Sequence, residues 1–318
     1  MKIAVTGATG LLGRQLVVGL SRHGHEVVAG YRSIESLTRI QDWVETECGR
    51  SVRWVQSRME LLSELRRLCK GCDGLVHAAY AHERGRYRGG EATDPDNFWT
   101  ANGMGTIRTF EVADLEGVER LVALSSRAVF DGVETSPADG IADDHPVMPT
   151  TRYGELKALT EAMVRSCRTG CRVGVRPTGI YGTTWPVSDC KWWQLAMDAR
   201  RHGSVSEAGH LPRTEVWVGD VVEAIQLLLT APAERVQGRV FNCSDIAVAP
   251  SDTWKLLRTI HHRSDPSSHP ELASREPPPK SLNCDGLKTL GWSPSGYDKY
   301  LEVLHELAQQ AASALPVA

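Results

Sequence analysis

Tyr153 and Lys157 stand four residues apart in Tyr-Gly-Glu-Leu-Lys, where an apolar periodicity begins that continues through Leu159, Ala162 and Met163. That spacing places both side chains on one face of a helix. A phenol with an unperturbed pKa of about 10 is a poor acid or base near neutrality, but an ammonium beside it favours the phenolate and draws the group toward the working range. Upstream, the apolar run Leu121-Val122-Ala123-Leu124 ends in Ser125-Ser126. A hydroxyl at that strand end, on Ser126, can hold a carbonyl oxygen while Tyr153 delivers a proton.

The second chemical signal is the opening. Ile3-Ala4-Val5 leads into Thr6-Gly7-Ala8-Thr9-Gly10-Leu11-Leu12-Gly13, and a helical pattern follows. A strand ending in a tight glycine turn that starts a helix aims backbone N–H groups and the helix dipole at a pyrophosphate, and glycine lets the backbone come close. Gly7, Thr9, Gly10, Leu11, Leu12 and Gly13 are therefore the expected contacts of a dinucleotide. The second strand ends in Gly30-Tyr31-Arg32-Ser33. An acid at this place would bond a ribose 2′-hydroxyl, whereas Arg32 can fork onto a 2′-phosphate and Ser33 adds a donor. NADP(H) is expected over NAD(H), with Arg14 in support.

These residues need a frame. Apolar runs at 3–6, 27–30, 52–55, 75–79, 121–125 and 172–175 alternate with amphipathic stretches at 12–22, 60–68 and 105–115. Strands alternating with helices imply a parallel sheet covered on both faces, a doubly wound Rossmann-type α/β domain whose ligands lie beyond the carboxyl ends of the strands. The expected organisation is a dinucleotide-binding domain over 1–175, to which 214–245 return. Segments 176–213 and 246–318 then form mainly a smaller substrate lobe, and the Pro- and Ser-rich stretch 263–280 is a loop.

Composition is compatible with that frame. The chain has 318 residues, 41% hydrophobic and 24% charged, with a formal charge of −3, so a large core is available and no general attraction to nucleic acid or anionic membrane is expected. The expected partner is a small-molecule substrate. No basic-then-apolar leader opens the sequence and no run of about 18 apolar residues interrupts it, which gives a cytoplasmic expectation. Of the eight cysteines, Cys69 and Cys72, with Cys167 and Cys171, have spacings that could suggest a metal or redox site. Each pair lies beside an expected buried strand, where a thiol serves as a small apolar group, so no metal is expected.

Together these residues resemble the extended short-chain dehydrogenase/reductase family. The likeness also takes in His77-Ala78-Ala79, Asn102, Arg176-Pro177 with Tyr181-Gly182, Val218-Gly219-Asp220-Val221 and Leu290-Gly291-Trp292-Ser293-Pro294, nearly the whole chain. The resemblance implies Tyr153 as acid/base, Lys157 as its tuner and a ribose ligand, and Ser126 as the residue that orients the carbonyl. It adds Ala78, Ala79, Asn102 and Pro177 to the cofactor contacts and implies a homodimer. Segments 125–132 and 275–282 are similar to those of dTDP-4-dehydrorhamnose reductases and their relatives, which reduce a keto group of a nucleotide sugar. Arg213 and Arg275 match places where the family holds a substrate diphosphate. Tyr80 and Trp185 join them as substrate contacts, Trp185, Trp192 and Trp193 line a substrate pocket, stack a nucleobase or pack the core of the second lobe, and His82, Glu83 and Tyr87 border the site.

Two departures from the family pattern matter. Dehydratases of nucleotide sugars carry an Asp-Glu pair where this chain has Arg127 and Ala128, so elimination is disfavoured. Arg58 stands where many relatives have an adenine-contacting Asp. The expected activity is thus hydride transfer to a carbonyl, on a nucleotide-linked or otherwise polar sugar. Two other readings stay open: an epimerase that retains NAD, and a regulatory subunit that binds cofactor without turnover.

Overall fold

The computed structural model describes residues 1–82, 93–134, 139–201, 209–262, 278 and 280–314. Its strands are β1 (Lys2–Thr6), β2 (Glu26–Tyr31), β3 (Arg53–Gln56), β4 (Gly74–His77), β5 (Arg120–Leu124), β6 (Cys171–Pro177), β7 (Gly179–Tyr181), β8 (Arg213–Trp217), β9 (Val240–Cys243) and β10 (Ile246–Val248). Helices α1 (Leu11–Arg22), α2 (Ile34–Thr38), α3 (Gln41–Cys48), α4 (Leu62–Cys69), α5 (Pro95–Phe98), α6 (Gly105–Leu115) and α7 (Arg152–Ser166) lie in the first half. They are followed by α8 (Trp193–Arg200), α9 (Val218–Thr230), α10 (Ala233–Val236), α11 (Pro250–His262), α12 (Asp285–Lys288) and α13 (Gly296–Ala314).

Seven strands form one sheet in the order β3-β2-β1-β4-β5-β6-β9, every pair parallel. The order reverses between β1 and β4, which opens a crevice beyond their carboxyl ends, where doubly wound sheets take ligands. Central strands buried on both faces read as continuous apolar runs, and Leu75, Val76, Leu121, Val122 and Ala123 are fully buried. On one face α1 and α9 pack over β1, β5 and β6, through Leu16, Leu20, Val221, Ile225 and Leu228; on the other lie α4 and α6, with Leu65, Leu68 and Phe110.

A second sheet has three strands, with β8 parallel to β7 and antiparallel to β10. Helices α8, α11 and α13 cover it through an aromatic cluster in which Tyr181 stacks on Trp192, their centroids 5.0 Å apart. The return expected from about 214 divides in two. Strand β8 belongs to the small sheet, whereas α9 and β9 rejoin the large one. Beyond 246 the chain also splits, because Cys284, Leu287 and Trp292 pack into the core of the large sheet while α13 packs onto the small lobe. Among the described residues no helix is long and apolar enough to cross a membrane.

Candidate active site

The glycine turn is built as the opening sequence requires. Gly7 has φ +68, and a Cβ there would lie 2.6 Å from the Cα of Ala79. A Cβ on Gly13 would lie 2.0 Å from the Gly7 carbonyl oxygen. Side chains at these positions would push the turn off the segment after β4 and α1 off the turn, so the glycines let these backbones close together at the sheet's switch point. Helix α1 is preceded by Gly10 at its N-cap, which offers no side-chain cap, and has no acid in its first turn. The amides of Leu11 and Leu12 therefore have no acceptor within the helix, and the positive end of its dipole faces outward. These residues fit a dinucleotide pyrophosphate. The Gly10 amide itself closes the turn on the Gly7 carbonyl, 3.0 Å away.

Thr6 joins this turn to β4. Its Oγ1 accepts from the amides of Ala78 and Ala79, both at 3.2 Å, and lies 3.0 Å from His77 Nδ1. With two donors already aimed at the hydroxyl oxygen, its single proton goes to Nδ1. His77 then carries its own proton on Nε2 and donates it to Thr106 Oγ1 at 3.2 Å. Burial pushes the His77 imidazole down to about 3, so it stays neutral. The amides of Ala78 and Ala79 are thus spent on Thr6, and these residues face a cofactor only with carbonyls and methyl groups.

The groups with acid/base chemistry meet at the end of β5. Thr151 caps α7 by accepting from the Gly154 amide at 3.1 Å, which starts the helix one residue ahead of Tyr153. Gly154 then lets α7 approach the 3₁₀ turn Arg127–Phe130, since a Cβ there would lie 2.7 Å from the Ala128 carbonyl oxygen. Ser126 opens that turn, its Oγ accepting from the Ala128 amide at 3.2 Å. Lys157 Nζ donates to the Leu124 carbonyl at 2.8 Å, two residues before Ser126, and sits 5.6 Å from the centre of the Tyr153 ring. Burial pushes the Lys157 ammonium down, against the opposing pull of Tyr153. Tyr80 packs edge-on against Tyr153, centroids 5.1 Å apart, and its ring lies 5.8 Å from Lys157 Nζ. A hydroxyl, a phenol and an ammonium thus share one buried corner, which can hold a carbonyl oxygen and move a proton.

Beneath this corner lies a polar network that the sequence reading treated only as part of a motif. Glu161, one turn past Lys157, takes the Arg176 guanidinium at 2.6 and 2.7 Å and the Ser125 hydroxyl at 2.6 Å. Arg176 also reaches the Asn242 side chain at 3.1 Å and the Asp143 carbonyl at 2.8 Å, tying α7, β5, β6 and β9 together. Two arginines, Arg172 and Arg176, inside the otherwise apolar run of β6 were the available signal. A fully buried arginine requires a carboxylate.

Other expectations are redirected. Arg14 is not free to support a 2′-phosphate. It is buried, with Nε on the Gly10 carbonyl, NH1 on the Trp185 carbonyl and NH2 on Asp189, 2.9 Å away. Asn102 lies in a π-helical turn, Trp99–Met104, and its amide group is spent on the amide and carbonyl of Ala81 and on the Phe98 carbonyl. It fixes the segment after β4 and does not reach outward. Arg58 is paired with buried Glu64 through both its amide and its guanidinium. Trp192 is a core residue of the small lobe and Trp193 packs against that cluster, while Trp185 is half exposed.

Arg32 lies exposed past β2, its carbonyl taking the Gln56 side chain at 3.3 Å; its guanidinium has no hydrogen bond to another described residue. Ser33 caps α2 and accepts from the Ser36 amide at 3.4 Å. Pro177 ends β6, after which the Thr178 amide bonds to the Cys243 carbonyl at 3.1 Å. Arg213 is exposed on β8. His82 stacks on Tyr80, centroids 5.6 Å apart. Arg127 lies 3.6 Å from Asp131, and Ala128 is fully buried, so neither offers a carboxylate beside Ser126. Glu83, Tyr87 and Arg275 lie outside the described residues, as do the rest of 263–277 and residue 279. Cys69 and Cys72 are buried thiols, pushed up to about 12 and about 11. Among the described residues no group of three His, Cys, Asp or Glu side chains could hold a metal ion.

A switch-point glycine turn beside a Tyr, Lys and Ser corner is the arrangement that the resemblance to extended short-chain dehydrogenases/reductases implies. The model of the NAD dependent epimerase/dehydratase family matches residues 3–244, and the chain belongs to that family. It is 26% identical to a UDP-glucose 4-epimerase of Mycolicibacterium smegmatis, over 92% of this chain and 94% of that one. It is also 30% identical to a 4-hydroxy-2-methyl-3-oxo-4-farnesyl-3,4-dihydroquinoline-1-oxide ketoreductase of Stigmatella aurantiaca, over 57% of this chain, and spans about half of that relative, 51%. Its fold is that of a UDP-glucose-4-epimerase from Stenotrophomonas maltophila solved with NAD, with a TM-score of 0.78, 18% identity and coverage of 99% and 100%.

Proposed function

We propose that the protein is an NADP(H)-dependent reductase that transfers hydride to the keto group of a nucleotide-linked or otherwise polar sugar. When bound, the dinucleotide supplies the hydride. Ser126 donates a hydrogen bond to the carbonyl oxygen, and Tyr153 passes its proton to that oxygen as charge develops there. Lys157, fixed on the Leu124 carbonyl, holds positive charge beside the phenolate left behind. Tyr80 walls the corner on one side, edge-on to Tyr153. The backbone after Pro177 orients the nicotinamide, and Arg213 on the small sheet takes an anionic part of the substrate.

The observation that carries the NADP(H) assignment is the end of β2. No carboxylate occupies 31–33 to receive a ribose diol, and the exposed Arg32, with Ser33 next to it, supports a 2′-phosphate there instead. Replacing Arg32 by Ala should weaken NADPH by about tenfold or more while changing NADH by less than about twofold, the loss of one charge-assisted phosphate contact. Fluorescence titration of both nucleotides reads this, and equal weakening of the two would remove the assignment.

A second reading is an epimerase that keeps NAD bound and uses the same three residues to oxidise and re-reduce its substrate. The match to the mycobacterial epimerase over almost the full length favours it. The two readings differ in whether the nucleotide exchanges with solvent.

A further inference from the structure

Arg14, displaced from the role expected of it, takes part in an arrangement that nothing in the catalytic corner requires. Residues 183–190 leave the small sheet after β7 and run along the first turn of α1. Gln15 Nε2 donates to the Thr183 carbonyl at 2.9 Å, and Arg14 NH1 reaches the Trp185 carbonyl. At the far end of the segment Asp189 holds two arginines at once. Its Oδ2 takes Arg14 NH2 at 2.9 Å and its Oδ1 takes Arg39 NH2 at 2.6 Å. Arg14 is anchored on the Gly10 carbonyl at the start of α1, and Arg39 follows α2, the helix that Ser33 caps. One carboxylate therefore ties the segment to the glycine turn and to the element beside the expected 2′-phosphate position.

The segment has its own internal bonds. The Thr184 amide donates to Cys190 Sγ at 3.3 Å, and the thiol in turn reaches the Thr184 carbonyl at 3.6 Å. Thr183 Oγ1 donates to Glu306 on α13 at 2.7 Å. The segment's internal bonds close 184 onto 190, and its attachments to the nucleotide domain come from Gln15, Arg14 and Arg39.

We infer that residues 183–190 form a strap across the phosphate end of the dinucleotide site and that Asp189 is its clasp, so that cofactor enters and leaves only when the Arg14–Asp189–Arg39 bridge opens. Asp189 is a positioning residue that acts through the strap. The inference rests on reading the glycine turn as a dinucleotide site. It also bears on the choice between the two functions, since the strength of the clasp sets how long a nucleotide stays.

A strap closed in both the free and the bound protein has a kinetic signature. Weakening its clasp lowers the cost of opening equally for entry and exit, so both rate constants rise by the same factor and Kd hardly moves. The test is stopped-flow binding and release of NADPH, followed by its fluorescence, on nucleotide-stripped protein and on Asp189→Asn, Asp189→Glu and Arg39→Gln. Asp189→Asn should speed association and release together, each by about tenfold, the loss of two charge-assisted contacts on one carboxylate. Arg39→Gln, at the protein surface, should speed both by a few-fold and serves if an Asp189 variant fails to fold. Asp189→Glu should restore most of the slow exchange. Faster release with unchanged association would mean that Asp189 touches the ligand and is no clasp, and unchanged rates in folded variants would also overturn the inference. Failure of the unaltered protein to bind either NADPH or NADH would bring down the dinucleotide reading itself and the strap with it.

Discussion

The carboxyl edge of the large sheet and the interior of the small lobe are both buried, yet they are held by different forces. At the sheet edge the polar groups are joined in chains, Thr6 to His77 to Thr106 and Ser125 to Glu161 to Arg176 to Asn242. In the small lobe Tyr181, Trp192 and Tyr300 pack by ring shape, with Trp192 edge-on to Tyr300 at 5.4 Å. There Tyr181 Oη, Thr184 Oγ1 and Trp254 Nε1 are buried with no hydrogen-bond partner among the described residues. A hydrogen-bonded frame has one geometry and fails when one member is lost, whereas an apolar cluster adapts to changes of similar volume. On the proposed function, the cofactor and the proton donor sit on the first, and substrate choice is left to the second.

The contrast predicts effects of decreasing size. Tyr153→Phe should lower turnover by about a thousandfold with nucleotide affinity within about twofold, because the hydroxyl acts only as the proton moves. Steady-state rates and a binding titration check it, and substantial residual turnover would place the proton donor elsewhere.

His77 provides a pH test of the frame. Its imidazole is held down at about 3, against an ordinary 6.5, so between those values the unfolded chain takes up a proton that the folded chain refuses. The stability this confers is therefore present above about 6.5 and is lost as pH falls toward 3, by on the order of 2 kcal/mol between pH 6.5 and 4.5. Urea unfolding of the protein and of His77→Gln at the two pH values should show a flatter acid limb in the variant. Parallel acid limbs would mean that the imidazole is not held neutral by the fold.

The smallest effect belongs to the small lobe. Tyr181→Phe removes a buried hydroxyl that lacks a described partner and should raise stability by about 1 kcal/mol in urea unfolding. A loss of stability would show that the hydroxyl is satisfied and that the two regions are less different than they look.

What the sequence made legible follows the same division. The glycine turn, the strands of the large sheet and the Tyr153-Lys157 pair rest on local pattern, and all fold where the pattern puts them. Strands β7 and β10 are three residues each and exist only through pairing with β8, so no local periodicity announces them. Arg14 was misread because its partners, Trp185 and Asp189, are 171 and 175 residues away. Asn102 has the right type for a ligand contact, but its amide is spent within its own neighbourhood. A polar residue's type is visible in a sequence, whereas the groups that consume its hydrogen bonds are a product of the fold.

The central claim, a reductase with exchangeable NADP(H), is met most directly by identifying the nucleotide that accompanies the purified protein and then titrating the stripped protein with NADPH and NADH. The account predicts NADP(H), removable and rebound, with NADPH preferred over NADH. Stoichiometric NAD that resists removal would contradict it and make the protein an epimerase that keeps its cofactor.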